Sequence, residues 1–273
     1  MMIFSKNLIG LDIQTDGLRL VERSFTQGIK KLLYQPLPTQ LYQDGRVADW
    51  QALGAILAKW VGSLRLSAQK TAFALPASVV RMQQMQLPVG LNASDIKAEI
   101  TAQLQRDLPG LQEKLAIDFI ISKANPSPSY TTVFFAATKE AVLMPYVECI
   151  NAAGLAVSIV DIDLYALKRT VCKTAQSAMI LQLTSVAAQL VIFKNEEVIF
   201  HEQLGSHVLL RQWLENTLTS VQHLLVSNCH VVGPADLVRH TLKDLIDAEK
   251  WQIASSVTQG FEVAVGLTMR GQV

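Results

Sequence analysis

The residues able to do chemistry gather in a few places along the chain. Between Leu8 and Glu22, apolar residues alternate on either side of a polar corner, Asp12-Ile13-Gln14-Thr15-Asp16-Gly17. That pattern reads as strand, tight turn, strand, and it places two carboxylates, an amide and a hydroxyl around one turn. Asp161 and Asp163 form a second carboxylate pair of the kind that serves acid–base work. The competing reading has Asp163 capping the helix after it and Asp161 ending a strand. Cys149, Cys172 and Cys229 lie far apart without Cys-x-x-Cys spacing, as buried thiols of a reducing compartment do. His201 and His207 are six residues apart, a spacing that suits neither one helix face nor a zinc hairpin, so no metal site is assigned.

Composition narrows the function classes. Only 17% of the 273 residues are charged and the net charge is +1, so no strong field draws the chain to nucleic acid or to an acidic membrane surface. No N-terminal segment joins a basic flank, a long apolar run and a small-residue cleavage site, which points to a cytoplasmic protein. The most apolar stretch, Ala178 to Phe193, is broken by Gln182, Thr184, Ser185 and Gln189, and fits a buried pair of strands better than a membrane span.

The elements that must position these residues follow from periodicity and punctuation. The polar corner, Leu18 to Ser24 and Lys30 to Tyr34 form a three-stranded meander. A loop with an Asp44-Gly45 turn leads to a helix carrying Trp50, Leu53, Ile56, Leu57, Trp60 and Val61, then to a strand Lys70 to Leu75. From Ala77 the pattern changes: a strand Ser78 to Leu87, a helix capped by Asn92 and stopped at Leu108-Pro109-Gly110, strands Ala116 to Ser122 and Tyr130 to Thr138 around Asn125-Pro126-Ser127-Pro128, and a helix from Lys139 to Ala153. Leu155 to Ile162 and Tyr165 to Thr170 return to the first unit. The second half repeats the order: strands Ala178 to Leu183, Ala187 to Phe193 and Glu197 to Glu202, a helix Leu209 to Leu225, a strand Cys229 to Val232, a helix to about Ala248 and a last helix Phe261 to Met269. Two halves of matching order imply a duplicated sheet-plus-helix fold.

In this order the motifs resemble those of the PilM family, the actin-like proteins of type IV pilus assembly, and at greater distance FtsA. The phrases that carry the resemblance include the opening corner, Phe73-Ala74-Leu75-Pro76, Gln86-Leu87-Pro88, Ala153-Gly154-Leu155, the run Val160 to Arg169 and Val265-Gly266-Leu267. The resemblance implies an α/β, actin-like (ribonuclease H-like duplicated) fold. Residues 1–76 with 154–172 would form the first domain and 77–153 an inserted α+β subdomain. Residues 173–273 would form a second domain whose outer subdomain is reduced to the Ser206-His207-Val208 connection. It also implies a nucleotide cleft, and here the chain departs from the family. The first phosphate corner of actin-like ATPases reads Asp-Ile-Gly-Thr, so that Asp12 and Thr15 match while Gln14 replaces the glycine and Asp16 adds a carboxylate that repels a triphosphate by about 1 kcal/mol or more at short range. At the second corner Gln182 and Thr184 stand where aspartate and glycine are expected, and the glycine-rich adenosine turn keeps only Gly233 before Pro234.

The function so implied is a non-catalytic cytoplasmic scaffold, held at the inner membrane through the N-terminal peptide of a PilN-type protein in a groove beside the inserted subdomain. Neither a cofactor nor a metal is expected, and the pilus motor ATPases and self-association are further partners compatible with it. Leu75, Pro76, Leu87 and Leu104 are the groove candidates, against the reading that they are simply core. Two alternatives stay open: an ATP-binding or ATP-hydrolysing member using Asp12 and Thr15, with Asp12 otherwise capping the turn, and the actin-like cytoplasmic part of a type II secretion protein. The latter usually continues into a transmembrane helix, which is not seen before Val273.

Overall fold

The computed structural model describes residues 7–24, 28–43, 46–66, 70–122, 129–172, 177–184, 187–194, 197–205, 209–224, 226, 228–233, 238, 251–253 and 260–270. The expected Asp44-Gly45 turn, the Asn125 to Pro128 loop, the Ser206 to Val208 connection, the residues following Gly233 and the helix ending near Ala248 lie outside these residues. The chain divides into two compact units, residues 1–74 with 150–273, and residues 75–149.

In the larger unit, β1 (Asn7–Gln14), β2 (Gly17–Ser24) and β3 (Gly28–Pro36) form an antiparallel meander. A 3-10 turn and the two-residue strands β4 (Tyr42–Gln43) and β5 (Arg46–Val47) follow where the sequence showed only loop. Helix α1 (Trp50–Leu64) starts at Asp49, whose carboxylate accepts from the Ala52 N–H at 2.8 Å. It buries Leu53, Leu57 and Val61, one residue per turn on one stripe. Strand β6 (Lys70–Leu75) then pairs parallel to β1.

The smaller unit opens with a 3-10 turn after Pro76, so strand β7 (Arg81–Pro88) begins three residues later than the expected Ser78. Helix α2 (Ala93–Asp107) starts with a capping box, in which Asn92 accepts from the Asp95 N–H and Asp95 accepts from the Asn92 N–H. With strands β8 (Leu115–Ile121) and β9 (Tyr130–Lys139) the sheet runs β7-β9-β8, and Leu87, Ile96, Ile100, Leu104, Val133 and Phe135 form its core. Helix α3 (Glu140–Ala152) leads back to the larger unit.

There β10 (Ala156–Ile162) and α4 (Asp163–Val171) complete the first half. Asp163 opens α4 as its first residue rather than as its cap, because Ile162 occupies the cap position and the Asp163 carboxylate accepts from the adjacent Leu164 N–H. The second half comprises β11 (Ser177–Leu183), β12 (Ala188–Lys194), β13 (Glu197–Leu204), α5 (Leu210–Val221), β14 (Cys229–Val232), β15 (Trp251–Ile253) and α6 (Glu262–Thr268). Helix α5 stops short of the expected Leu225, tightening into a 3-10 turn over Gln222–Leu224. Strand β15 was not foreseen, since three residues are too few to show a period.

Strand order makes the duplication explicit. One sheet runs β10-β6-β1-β2-β3 and the other, from its opposite edge, β15-β14-β11-β12-β13. In each, the first strand of the meander pairs antiparallel to the second and parallel to a later strand. Helix α6 lies on the first sheet, where a Cβ added to Gly10 would fall 2.0 Å from the Ala264 carbonyl oxygen. On its other side, a Cβ at Gly266 would fall 1.8 Å from the Ala166 oxygen of α4. Helix α4 in turn reaches the second sheet, with Tyr165 5.8 Å from the Phe193 ring and the buried Lys168 ammonium 5.2 Å from the same ring.

Two glycine substitutions separate close packing from backbone freedom. Gly266→Ala forces α4 and α6 apart and is expected to cost about 3 kcal/mol or more. Gly62→Ala in α1, where an added methyl meets nothing within 4 Å, is expected to stabilise by about 0.5 kcal/mol. Thermal unfolding of the two variants measures both.

Candidate functional site

The corner between β1 and β2 is a two-residue hairpin, with Gln14 paired to Gly17 and Thr15 and Asp16 in the turn. Its register sets Asp12 directly across from Arg19. The Arg19 guanidinium forks onto the Asp16 carboxylate with contacts of 2.8 and 2.7 Å and lies 5.1 Å from the Tyr34 ring of β3. Two tyrosines hold the corner's carbonyls: Tyr34 donates its hydroxyl to the Asp16 oxygen at 2.8 Å and Tyr42 to the Gln14 oxygen at 2.9 Å.

Asp12 is buried in β1, three residues ahead of the turn, and its carboxylate accepts from the Gln14 side-chain amide at 2.7 Å. It does not cap the turn as the sequence allowed. Burial pushes its carboxyl up to about 6, opposed by the Arg19 charge and the Gln14 amide. Glu262, at the start of α6, is buried and accepts from the Gly260 N–H at 3.0 Å. Burial raises its carboxyl to about 7, with Arg19 pulling it down and Asp12 pushing it up. Asp16, the carboxylate that the sequence adds to this corner, is paired at close range with Arg19.

Sequence reasoning missed Arg19, Tyr34 and Glu262. Arg19 was recoverable, because a two-residue turn at 15–16 places residues 12 and 19 opposite each other. Glu262 is visible as the one acid within Phe261 to Leu267.

At the second corner, Gln182 is buried on β11 opposite Gln189 of β12. The Gln189 amide donates to the Gln182 oxygen, and the Gln189 oxygen lies 3.0 Å from Nε2 of His201 on β13, so an amide ladder crosses three strands. Thr184 exchanges backbone and hydroxyl hydrogen bonds with Ala187 and so closes the β11–β12 turn. Gly233 has φ +144° and presses against β11, where a Cβ would fall 2.3 Å from the Leu183 oxygen. Thus Gln182, Thr184 and Gly233 all gather at one end of β11 and β14.

The remaining candidates have structural surroundings. Asp161 is buried between Arg169 of α4 and Arg270, whose Nη1 lies 3.3 Å from Asp161 and donates to the Val160 oxygen at 2.7 Å. Leu75, Leu87 and Leu104 are buried, the last two in the core of the smaller unit, and Pro76 is half-buried. All three cysteines are buried thiols. Among the described residues no cluster of His, Cys, Asp and Glu is arranged to hold a metal ion, and no helix is long and apolar enough to cross a membrane.

The family model described as type IV pilus assembly protein PilM matches residues 10–213, three quarters of the chain and both corners. The chain belongs to the PilM family. Solved structures agree on the fold. A PilM–PilN type IV pilus biogenesis complex is 18% identical with a TM-score of 0.73, covering 97% of this chain and 98% of that chain. The cytoplasmic domain of EpsL, an inner membrane component of the type II secretion system of Vibrio cholerae, is 12% identical with a TM-score of 0.55, covering 96% and 93%. A protein of unknown function with an actin-like ATPase fold from Bacteroides thetaiotaomicron is 14% identical with a TM-score of 0.54, covering 98% and 99%. This PilM-family chain therefore has the actin-like ATPase fold, with the corner between β1 and β2 filled by its own side chains.

The buried carboxylates predict a pH dependence of defined sign. Glu262 titrates near 7 in the folded chain against 4.5 when free. The folded state therefore holds the extra proton, and stability present at acid pH is lost as pH rises through about 7. Asp12 acts in the same sense, from 3.8 toward 6. His201 and His230, lowered from 6.5 by burial, act oppositely as pH falls below about 6.5. Comparison with Glu262→Gln cancels the histidines: the variant is expected to gain about 2 kcal/mol relative to the parent between pH 5 and pH 8, read from urea unfolding at the two values.

Proposed function

We propose that this PilM-family chain is a non-catalytic scaffold of type IV pilus assembly that docks the cytoplasmic N-terminal peptide of a PilN-type inner-membrane protein. The observation that carries the non-catalytic reading is the state of the β1–β2 corner. Asp12 is held by Gln14, Asp16 is held by Arg19, and the Gln14 and Asp16 carbonyls are held by Tyr42 and Tyr34. A nucleotide would have to displace interactions that are already made, at a cost of about 1–3 kcal/mol for each buried group left unpaired.

The second corner supports the same reading. Gln182 contributes an amide where a carboxylate would be needed to organise a hydrated magnesium ion, and Thr184 uses its hydroxyl to close its own hairpin. No step of phosphoryl transfer is assigned to any residue.

Peptide docking is supported by membership of the family and by the likeness, over 97% of this chain, to the fold of a PilM solved together with PilN. Docking of an extended peptide needs a groove and backbone partners and does not need a nucleotide, so the filled corner and the docking role are compatible. Localisation follows from the partner: the chain is proposed to sit at the inner membrane through PilN.

Titration calorimetry of the full chain tests both halves of the proposal. Heat on adding a PilN-type N-terminal peptide, with none on adding Mg-ATP, is the expected outcome. Micromolar ATP binding overturns the non-catalytic reading, and silence toward the peptide overturns the docking reading.

A further inference from the structure

Three carboxylates converge on the hairpin corner from three elements: Asp12 from β1, Asp16 from the turn and Glu262 from the first turn of α6. Asp12 and Glu262 are buried, and the Asp16 side chain is 16% exposed. Among the described residues, one guanidinium acts on all three. Arg19 is 8% exposed, forks onto Asp16, sits across the ladder from Asp12, and has its Nε 3.8 Å from the position of a Cβ on Gly260, whose N–H holds the Glu262 carboxylate. Tyr34 covers the guanidinium and fixes the turn carbonyl beneath it.

Four other cations on the packed elements have partners of their own. From α4, Arg169 binds Asp161 and the Gly266 carbonyl, and Lys168 lies over Phe193. Beyond α6, Arg270 binds Asp161 and the Val160 carbonyl. From β3, Lys31 lies 3.5 Å from Glu22.

We propose that Arg19 is the resident cation of a three-carboxylate site, and that its charge fastens the β1–β2 hairpin to α6 without any ligand. This deepens the reading of the corner as one that works without a nucleotide, because a site that carries its own cation takes none from a ligand. It does not depend on peptide docking. Without Arg19, Asp12 and Glu262 would share a desolvated corner and lose the cation that acts on both among the described residues, and each would be driven further toward its protonated form. Burial raises the proton affinity of Asp12 and of Glu262, and the Arg19 charge pulls both down, as one cation serving more than one acid would.

The test is a charge-compensation cycle on the full chain, read by thermal unfolding at pH 8. Arg19→Met keeps much of the apolar stem over Tyr34 and removes the charge. In the wild-type background it is expected to lower Tm by more than about 5 °C, and in an Asp12→Asn, Glu262→Gln background, where only the Asp16 pair is left to lose, by at most half as much. Arg19→Lys, which keeps the charge and loses the fork, is expected to fall between wild type and Arg19→Met. At pH 5.5, where Asp12 and Glu262 take up protons, the Arg19→Met loss is expected to shrink by at least half. An equal loss in both backgrounds and at both pH values overturns the proposal and leaves Arg19 as a packing residue.

If Arg19→Met alone yields no folded protein, recovery of folded protein in the triple variant supports the proposal. Failure of the triple variant beside a folded Asp12→Asn, Glu262→Gln parent overturns it. Mg-ATP calorimetry on the wild type reads the nucleotide question separately, so the two ideas fail independently.

Discussion

At Gly10 and Gly266 backbone meets backbone with no room for a methyl group, and this double close approach governs how the larger unit is built. Helix α6 is only seven residues long and entirely buried. It cannot be stable by itself, so it exists because β1 on one side and α4 on the other enclose it. The hydroxyl of Thr170 reaches the Glu262 carbonyl at 2.6 Å and Arg169 reaches the Gly266 carbonyl at 3.2 Å, so α4 satisfies polar groups of α6 that water cannot reach.

That enclosure explains the electrostatics of the corner. Because α6 presses on β1 and β2, the acid that opens it is carried out of water beside Asp12. Both carboxyls then bind protons more tightly than free acids do, and the Arg19 charge pulls both back down. The corner with its filled hydrogen bonds is thus a consequence of packing as much as of the residues that line it. The second corner differs, being satisfied by an amide ladder across β11, β12 and β13 with no net charge.

Much of this architecture could be read from residue order, and the exceptions have physical causes. The extent of α1 and β6 follows from a helical stripe and a proline stop, and α2 from the Asn92 cap, because caps and breakers act locally. Strand β15 and the ladder of β4 with β5 were illegible because two or three residues carry no period, and their pairing is decided by neighbours distant in sequence. Of the corner, the polar residues of the turn were legible and their partners were not. Arg19 reads as one exposed residue of an alternating strand, and Glu262 as an acid favouring a helix start, until the fold brings them together. The burial of Leu87 and Leu104 could not be told from groove lining by pattern, since both uses call for a leucine on an apolar face.

The position of α6 in the order of synthesis carries its own consequence. The strands it covers are made first, beginning at Asn7, whereas the helix that covers them spans Glu262 to Thr268. On the ribosome, β1 and β2 must therefore wait for this cover while some two hundred and forty residues emerge, including the whole smaller unit, which has a core of its own. A contact of such long sequence separation closes late and slowly. The uncovered strands are thus open to chaperones and to mispairing in the nascent chain, and emergence of Glu262 to Thr268 is the event that covers them.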